Sequence, residues 1–598
     1  MLSLAAFSMF SMFSGVGDLS ASGIPVTLNS DAPSSAAAAA TTKWTAAAPS
    51  QFAGVQYQFA VASGAGAPNV LRSFHPSNSF EWTPMLEGTY QVIASVRDSD
   101  GNTGEARSSL VVNSRVQGGV PSVSASNTPL VAIYSAPPCG DGSVRVMFHP
   151  ERSASKQYTP YKKCISGKSL NFWIAGMPAS TRYVLQQELT LPNTPSQAGP
   201  DLTFETGTIP ASANLPVAVV VNPKDAQTDA AQSVLLTSYL AALPGQSSTP
   251  VAIDAAGRVI WYNYSPDKPL RYLIRPLSGG TMFVLSQDQT IFREIDLAGN
   301  TVRETNTGWI SEQLQARLGM SITSFHHDAV RLPNGSIAAI ASVEKIYNGI
   351  QGSSGPVDVL GDAIIVMDHN FNVTWAWNSF DQLDLNRPAV LGETCAANQP
   401  GCPPVPLAST IGQTTANDWL HSNALEYLAD GNFLLSVRHQ DWIVKIDYRD
   451  GAGTGAVTWR LGKDGDFTMG SSDPYPWFSH QHSTTLNRNS LWLFDNGNTR
   501  HSTDSTAHSR GQVLQIDESM RTASITLSAD LGGYSPALGS AERLLNGDYH
   551  FLAGNLSGGH SQSIEIVPSP DPAGKTDFLV DTPNPAYRSF RMRSLFTP

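Results

Sequence analysis

Three short segments concentrate the side chains that could do chemistry. They are Ser324-Phe325-His326-His327-Asp328, the stretch from Asp418-Trp419-Leu420-His421 to Arg438-His439-Gln440, and Ser479-His480-Gln481-His482. Together they hold six of the 13 histidines. A neutral imidazole is a nucleophile and a general acid or base near neutral pH, and a second imidazole can take the complementary role. Arg438 adds a rigid fork of N–H donors matched to planar or trigonal oxyanions. Several imidazoles and one guanidinium in a dry cavity would suit a group with three equatorial oxygens, a phosphoryl or a sulfuryl group. The glycine-rich stretches are turns in β texture and form no Walker or dinucleotide pattern, so the expected donor is a small ester and not a nucleotide.

The histidine segments are 94 residues apart (327 to 421) and 61 apart (421 to 482), so the fold must converge them. Asp418 to Gln440 reads as two strands joined by the turn Asp430-Gly431, a hairpin that brings His421 and Arg438 to one end. Strand alternation predicts opposite faces for His326 and His327, and for Arg438 and His439, whereas His480 and His482 could share a face. Any one histidine at a strand entry is as readily a satisfied hydrogen-bonding residue as a functional one. The coincidence of three such segments with an arginine is what points to a site.

The scaffold reads as all-β. Of the 598 residues only 14% are charged, against roughly a quarter in an average soluble domain, and Gly 49 and Pro 40 describe many short strands and turns. A net charge of -12 with no basic stripe argues against a nucleic-acid partner. Beyond the extreme N-terminus no apolar run is long enough to span a membrane. Residues 1–50 read as a leader or low-complexity segment: MLSLAAFSMFSMFSG has the apolarity of a signal-peptide core but no basic flank, and the run Ala36 to Ala40 offers little to bury. Residues 51–116 alternate as in an immunoglobulin-like sandwich, and residues 122–210 as in a fibronectin-like one.

From residue 215 to 598 a short strand ending in Ile-Asp or a near variant recurs, at Ile253-Asp254, Ile295-Asp296, Met367-Asp368, Ile446-Asp447, Ile516-Asp517 and more weakly Glu565-Ile566-Val567. One four-stranded blade needs roughly 40 to 50 residues, so the expectation is a six-bladed β-propeller whose strand entries meet at a central channel. Cys139 with Cys164 and Cys395 with Cys402 form two local pairs that suit an oxidising compartment; four free thiols is the alternative. Neither pair has the spacing of a zinc site.

Phe325-His326-His327-Asp328 with Leu332-Pro333-Asn334-Gly335, Asp418-Trp419-Leu420-His421-Ser422-Asn423, Ser436-Val437-Arg438-His439-Gln440, and Gln481-His482 followed by Phe494-Asp495-Asn496-Gly497 occur in one order. In that order the chain resembles the bacterial arylsulfate sulfotransferases, over about residues 215 to 598. The resemblance implies a six-bladed propeller, periplasmic or secreted, that moves a sulfuryl group from a phenolic sulfate ester to a phenol by a ping-pong route through a sulfohistidine. It implies His482 as nucleophile, with His327, His421 and Arg438 binding the sulfuryl oxygens and handling the phenolic proton, and His326, Asn423 and His439 as substrate-binding neighbours. No metal or other cofactor is implied, and the partners are small-molecule phenolic sulfate donor and phenol acceptor; a homodimer is compatible. The chain departs from the family pattern in its two N-terminal sandwich-like units and in placing Cys395 and Cys402 before His421. Two other readings use the same residues: a metal-dependent lyase or hydrolase with three histidines on a divalent ion, and a secreted binding propeller.

Overall fold

The computed structural model describes residues 23–598 apart from 33, 65, 223–227, 242–246 and 398. The signal-like stretch at residues 1–22 lies outside the described residues. The chain is mainly β, and the longest helix among the described residues is Thr307–Leu318.

The first unit begins earlier than its composition predicts. Thr27–Ser30, Thr42–Ala47 and Ser79–Trp82 form one antiparallel sheet. It faces a second sheet built on Gln56–Ser63, Gly88–Arg97 and Thr103–Asn113. Thr42, Trp44 and Ala46 alternate inward, and Trp44, 1% exposed, packs with Phe59, Tyr90 and Leu110. The expectation of a leader extending to residue 50 is therefore corrected for residues 27–47. Small residues concealed a period-two pattern in which Trp44 is the one large member. Even the alanine run takes part, as strand Ser35–Ala37 and the buried Ala38.

In the second unit, Ala132–Ala136 with its neighbours faces the sheet of Ser143–Pro150 and Arg182–Thr190. Its core of Tyr134, Phe148 and Tyr183 runs on without a break into Trp261, Met282 and Phe596. Both local cysteine pairs are disulfides, Cys139–Cys164 and Cys395–Cys402.

Six sheets follow, each built around four antiparallel strands, with further strands joined to the edges of four of them. Five begin with Leu270–Leu277, Ser324–Arg331, Ser422–Tyr427, His482–Asn487 and Ser540–Arg543. The sixth is completed by Ala586–Met592, which pairs with Val234–Tyr239 from more than three hundred residues earlier. These six strands touch one another in cyclic order. Apolar clusters fill the spaces between adjacent sheets. The recurring aspartates pin outer turns: Asp254, Asp296 and Asp368 each accept two backbone N–H groups. Their role is structural, as Asx-type turn formers.

Both N-terminal units are docked on the ring. Trp173 donates its indole N–H to Asp296 at 2.9 Å, and Ser73 meets Thr305 at 2.9 Å. Among the described residues no helix is long and apolar enough to cross a membrane. Trp44→Ala is expected to destabilise the first unit by about 3–5 kcal/mol, read from denaturant unfolding; a loss below about 1 kcal/mol would remove Thr42–Ala47 from the core.

Candidate active site

Each histidine segment interrupts its strand ladder. Pairing of Ser324–Arg331 with Ile337–Asn348 slips between Phe325 and Ala329, and His327 adopts φ +55°. Slips also fall between Ser422 and Ala424 and between His482 and Thr485, with His421 at φ +51° and Ser483 at φ +53°. Bulges of this kind re-aim side chains, and a left-handed non-glycine residue costs on the order of 1–3 kcal/mol that its surroundings must supply. At His327 the surroundings are two tyrosines. The His327 N–H donates to Tyr272 Oη at 2.7 Å, and Tyr587 Oη donates to the His327 carbonyl at 2.8 Å. Their rings stack at 3.9 Å. Burial pushes the Tyr272 phenol up to about 12, so it stays protonated and keeps its geometry.

His327, His421, Arg438, His439 and His482 line one cavity of about 1340 Å³, with Tyr272 and Tyr587 on its wall. The disulfide-bearing segment around Glu393 to Pro406 closes another side. The His327 and His421 rings lie 4.8 Å apart, and those of His421 and His439 4.7 Å. Neighbouring groups set the tautomers. Asn496 donates to the carbonyls of Ser535 (2.7 Å) and Leu538 (3.0 Å), so its Oδ1 must accept the Nδ1–H of His482, at 2.6 Å. That leaves the Nε2 lone pair of His482 for the cavity. His421 points Nδ1 at Asp418 Oδ2, 2.7 Å away.

Alternation fails where the backbone leaves the strand. Arg438–Gln440 is a 3₁₀ turn, which brings Arg438 and His439 to the cavity together, against the opposite-face expectation. His439 is nevertheless spent on the protein: its Nδ1–H donates to the Asp418 carbonyl at 2.6 Å, and its Nε2 accepts from Arg438. His480, expected to share a face with His482, does not line the cavity and sits between Glu393 and Asp441, because His480 and Ser483 both have positive φ. Two expected substrate-binding residues lie behind the wall. His326 meets His327 Nδ1 to Nδ1 at 2.8 Å and faces Asp362 at 3.1 Å, while Asn423, fully buried, donates to the Gln481 carbonyl at 2.7 Å.

Asp418, Asn496, Tyr272 and Tyr587 were not singled out by sequence. Asp418 stands three residues before His421, and Asn496 lies in the Phe494-Asp495-Asn496-Gly497 segment that follows Gln481-His482; a side chain able to fix an imidazole was the available signal. The tyrosines carry no motif.

Charge at the site is organised by burial. Burial, and after it Arg438, holds His482 and His439 well below the ordinary imidazole range; burial and then His421 do the same to His327. All three are neutral at pH 7. Burial would raise the Asp328 carboxyl, but Arg275 and Arg588, each at 2.9 Å, hold it below its ordinary value. Side-chain groups able to bind a metal occur around His439 (with Glu393 and His480, or with Asp418 and His421) and at Asp548, Glu565 and Asp577. The Arg438 cation already occupies His439, and Arg591 lies 2.8 Å from Glu565, so neither group is a free donor set.

The depressed imidazoles fix the sign of a pH effect. Below about pH 6.5 the unfolded chain protonates at these positions while the folded chain does not, so stability is present above that pH and is lost as pH falls. His327→Asn should make the acid-side slope of unfolding free energy shallower by up to about 1.4 kcal/mol per pH unit; denaturant unfolding at several pH values with an unchanged slope would refute the assignment.

A family model described as Arylsulfotransferase (ASST) matches residues 220–581, more than half of the chain. No curated protein matches. Among solved structures, the dihydro-heme d1 dehydrogenase NirN in complex with DHE is similar at 11% identity and TM-score 0.25, covering 58% of this chain and 58% of that one. A two fibronectin type-III domain segment from chicken tenascin is similar at 16% identity and TM-score 0.14, over 30% of this chain and 98% of that one. A 1.5-MDa bacterial ice-binding adhesin is similar at 10% identity and TM-score 0.13, over 57% and 97%. The chain thus spans 58% of the NirN length, and at these scores none of the three carries an argument about fold or activity. The matched region contains His327, His421, Arg438 and His482 and the strands that flank them: the chain belongs to the arylsulfotransferase (ASST) family.

Proposed function

We propose that this protein is an aryl sulfotransferase that moves a sulfuryl group from a phenolic sulfate ester to a phenolic acceptor through a sulfohistidine at His482. The carrying observation is the state of His482. It is neutral, its Nδ1–H is fixed on Asn496, and its Nε2 shares a cavity with Arg438. A neutral imidazole with one nitrogen hydrogen-bonded and the other free is a prepared nucleophile. Membership in the ASST family supports the substrate class and implies arylsulfotransferase activity.

In the donor half-reaction His482 Nε2 attacks sulfur as the aryl C–O oxygen departs. Arg438, held by the Pro536 carbonyl at 3.0 Å and by His439, offers its remaining N–H groups to the sulfuryl oxygens. His327, its backbone clamped by the tyrosine pair, bounds the opposite side of the cradle. The acceptor phenol then takes the group from His482. Neither half requires a nucleotide donor or a cofactor. The six sheets are read as the blades of a six-bladed β-propeller over residues 215–598, with immunoglobulin-like and fibronectin-like sandwiches before it. The two disulfides favour a periplasmic or secreted location.

Intact-mass measurement after incubation with 4-nitrophenyl sulfate alone should add one sulfuryl group, mapping to His482 and absent from His482→Asn. An unmodified wild type that still turns over would sink the covalent route. Asn496→Leu should lower kcat/KM by roughly 10²-fold or more, since the imidazole loses its tautomer, while leaving the melting temperature within a few degrees.

A further inference from the structure

Aryl sulfuryl transfer needs a proton that moves twice, onto the departing aryloxide and off the incoming phenol. Four imidazoles line the cavity, and two of them are already committed. His482 holds Asn496 by Nδ1 and supplies Nε2 to sulfur. His439 is bound at both nitrogens, by the Asp418 carbonyl and by Arg438. His327 has only another imidazole, His326, at its Nδ1. His421 alone among the four has a carboxylate within hydrogen-bond distance of a ring nitrogen, Asp418 Oδ2 at 2.7 Å.

Asp418 is well placed to be rigid. It is 6% exposed, its N–H donates to the Glu393 carbonyl at 3.0 Å, and Cys395 Sγ lies 3.2 Å from the same Oδ2. One residue therefore grips two imidazoles of the site, His421 by its side chain and His439 by its main chain. Through His439 it also fixes Arg438.

We propose that Asp418 is a positioning residue that makes His421 the acid and base of the transfer. This deepens the sulfuryl-transfer reading and rests on it. In the donor half-reaction the bond from His482 Nε2 to sulfur forms, the bond from sulfur to the aryl oxygen breaks, and the His421 Nε2 proton passes to that oxygen. His421 is left neutral, its Nδ1–H still on Asp418. In the acceptor half-reaction the phenol proton returns to His421 Nε2 as the new sulfur–oxygen bond forms and the sulfur–nitrogen bond to His482 breaks. Proton and sulfuryl group both balance over one cycle.

Leaving-group dependence tests this, because 4-nitrophenolate departs unaided whereas phenolate needs the acid. With one fixed acceptor, Asp418→Asn should lose about 10²–10⁴-fold in kcat/KM for phenyl sulfate and less than about tenfold for 4-nitrophenyl sulfate. Asp418→Glu, which keeps the carboxylate, should recover part of the phenyl sulfate rate. His421→Gln carries the same donor comparison and should show the same split if Asp418→Asn does not fold. An equal loss on both donors overturns the inference and leaves sulfuryl transfer standing. A wild type inactive on every aryl sulfate overturns the transferase reading, and the inference with it.

Discussion

The pairing of Ala586–Met592 with Val234–Tyr239 is the constraint on which the rest depends, because it turns a row of sheets into a closed cycle. The closing strand also carries two side chains into the centre. Tyr587 is one half of the clamp on His327, and Arg588 lies against Asp328. Asp328 sits almost without solvent exposure between Arg275 and Arg588 and also accepts the Leu425 N–H at 3.0 Å. Four different sheets thus meet at one carboxylate. A buried charge is tolerated only when paired, and removing one partner of such a pair typically costs about 3–5 kcal/mol. The axis is fixed by charge as much as by apolar packing.

Above that ionic knot the cavity follows the opposite rule. His327, His439 and His482 are kept neutral by burial and by the positive groups around them, so His482 keeps a lone pair beside Arg438, a fixed positive charge on the wall. On the proposed reading the same cation would attract an anionic ester while disfavouring protonation of His482. Three polar side chains of the wall are held by neighbours: Asn496 for His482, Asp418 for His421, and His439 with the Pro536 carbonyl for Arg438. Positioning through such an outer layer explains how residues on bulged, locally strained backbone can hold a reactive geometry.

Much of this was legible in the chain itself. The histidine segments, Arg438 and the recurring Ile-Asp strands led to a mainly β scaffold converging them, and His327, His421, Arg438 and His482 do share a cavity. What failed was strand alternation at the site. His439 joins Arg438 on a 3₁₀ turn, and His480 turns away from His482 because left-handed residues break the two-residue period there. Asn423 and His326 carried motif signals but serve the second layer. Trp44 was hidden by the composition around it, and Tyr272 and Tyr587, 315 residues apart (272 to 587), could be linked only by closure of the ring.

That closure has a consequence for biogenesis. During synthesis from the N-terminus, His327, His421 and His482 exist as separate hairpin ends long before residues 586–592 are made. Until then His327 lacks the Tyr587 hydroxyl on its carbonyl, and Asp328 lacks Arg588. In a nascent chain the cavity is accordingly incomplete, and its last contacts form only with the last strand to be added. The protein carries its own check on completeness: a truncated product would possess every histidine of the site and still have no assembled place for the group they handle.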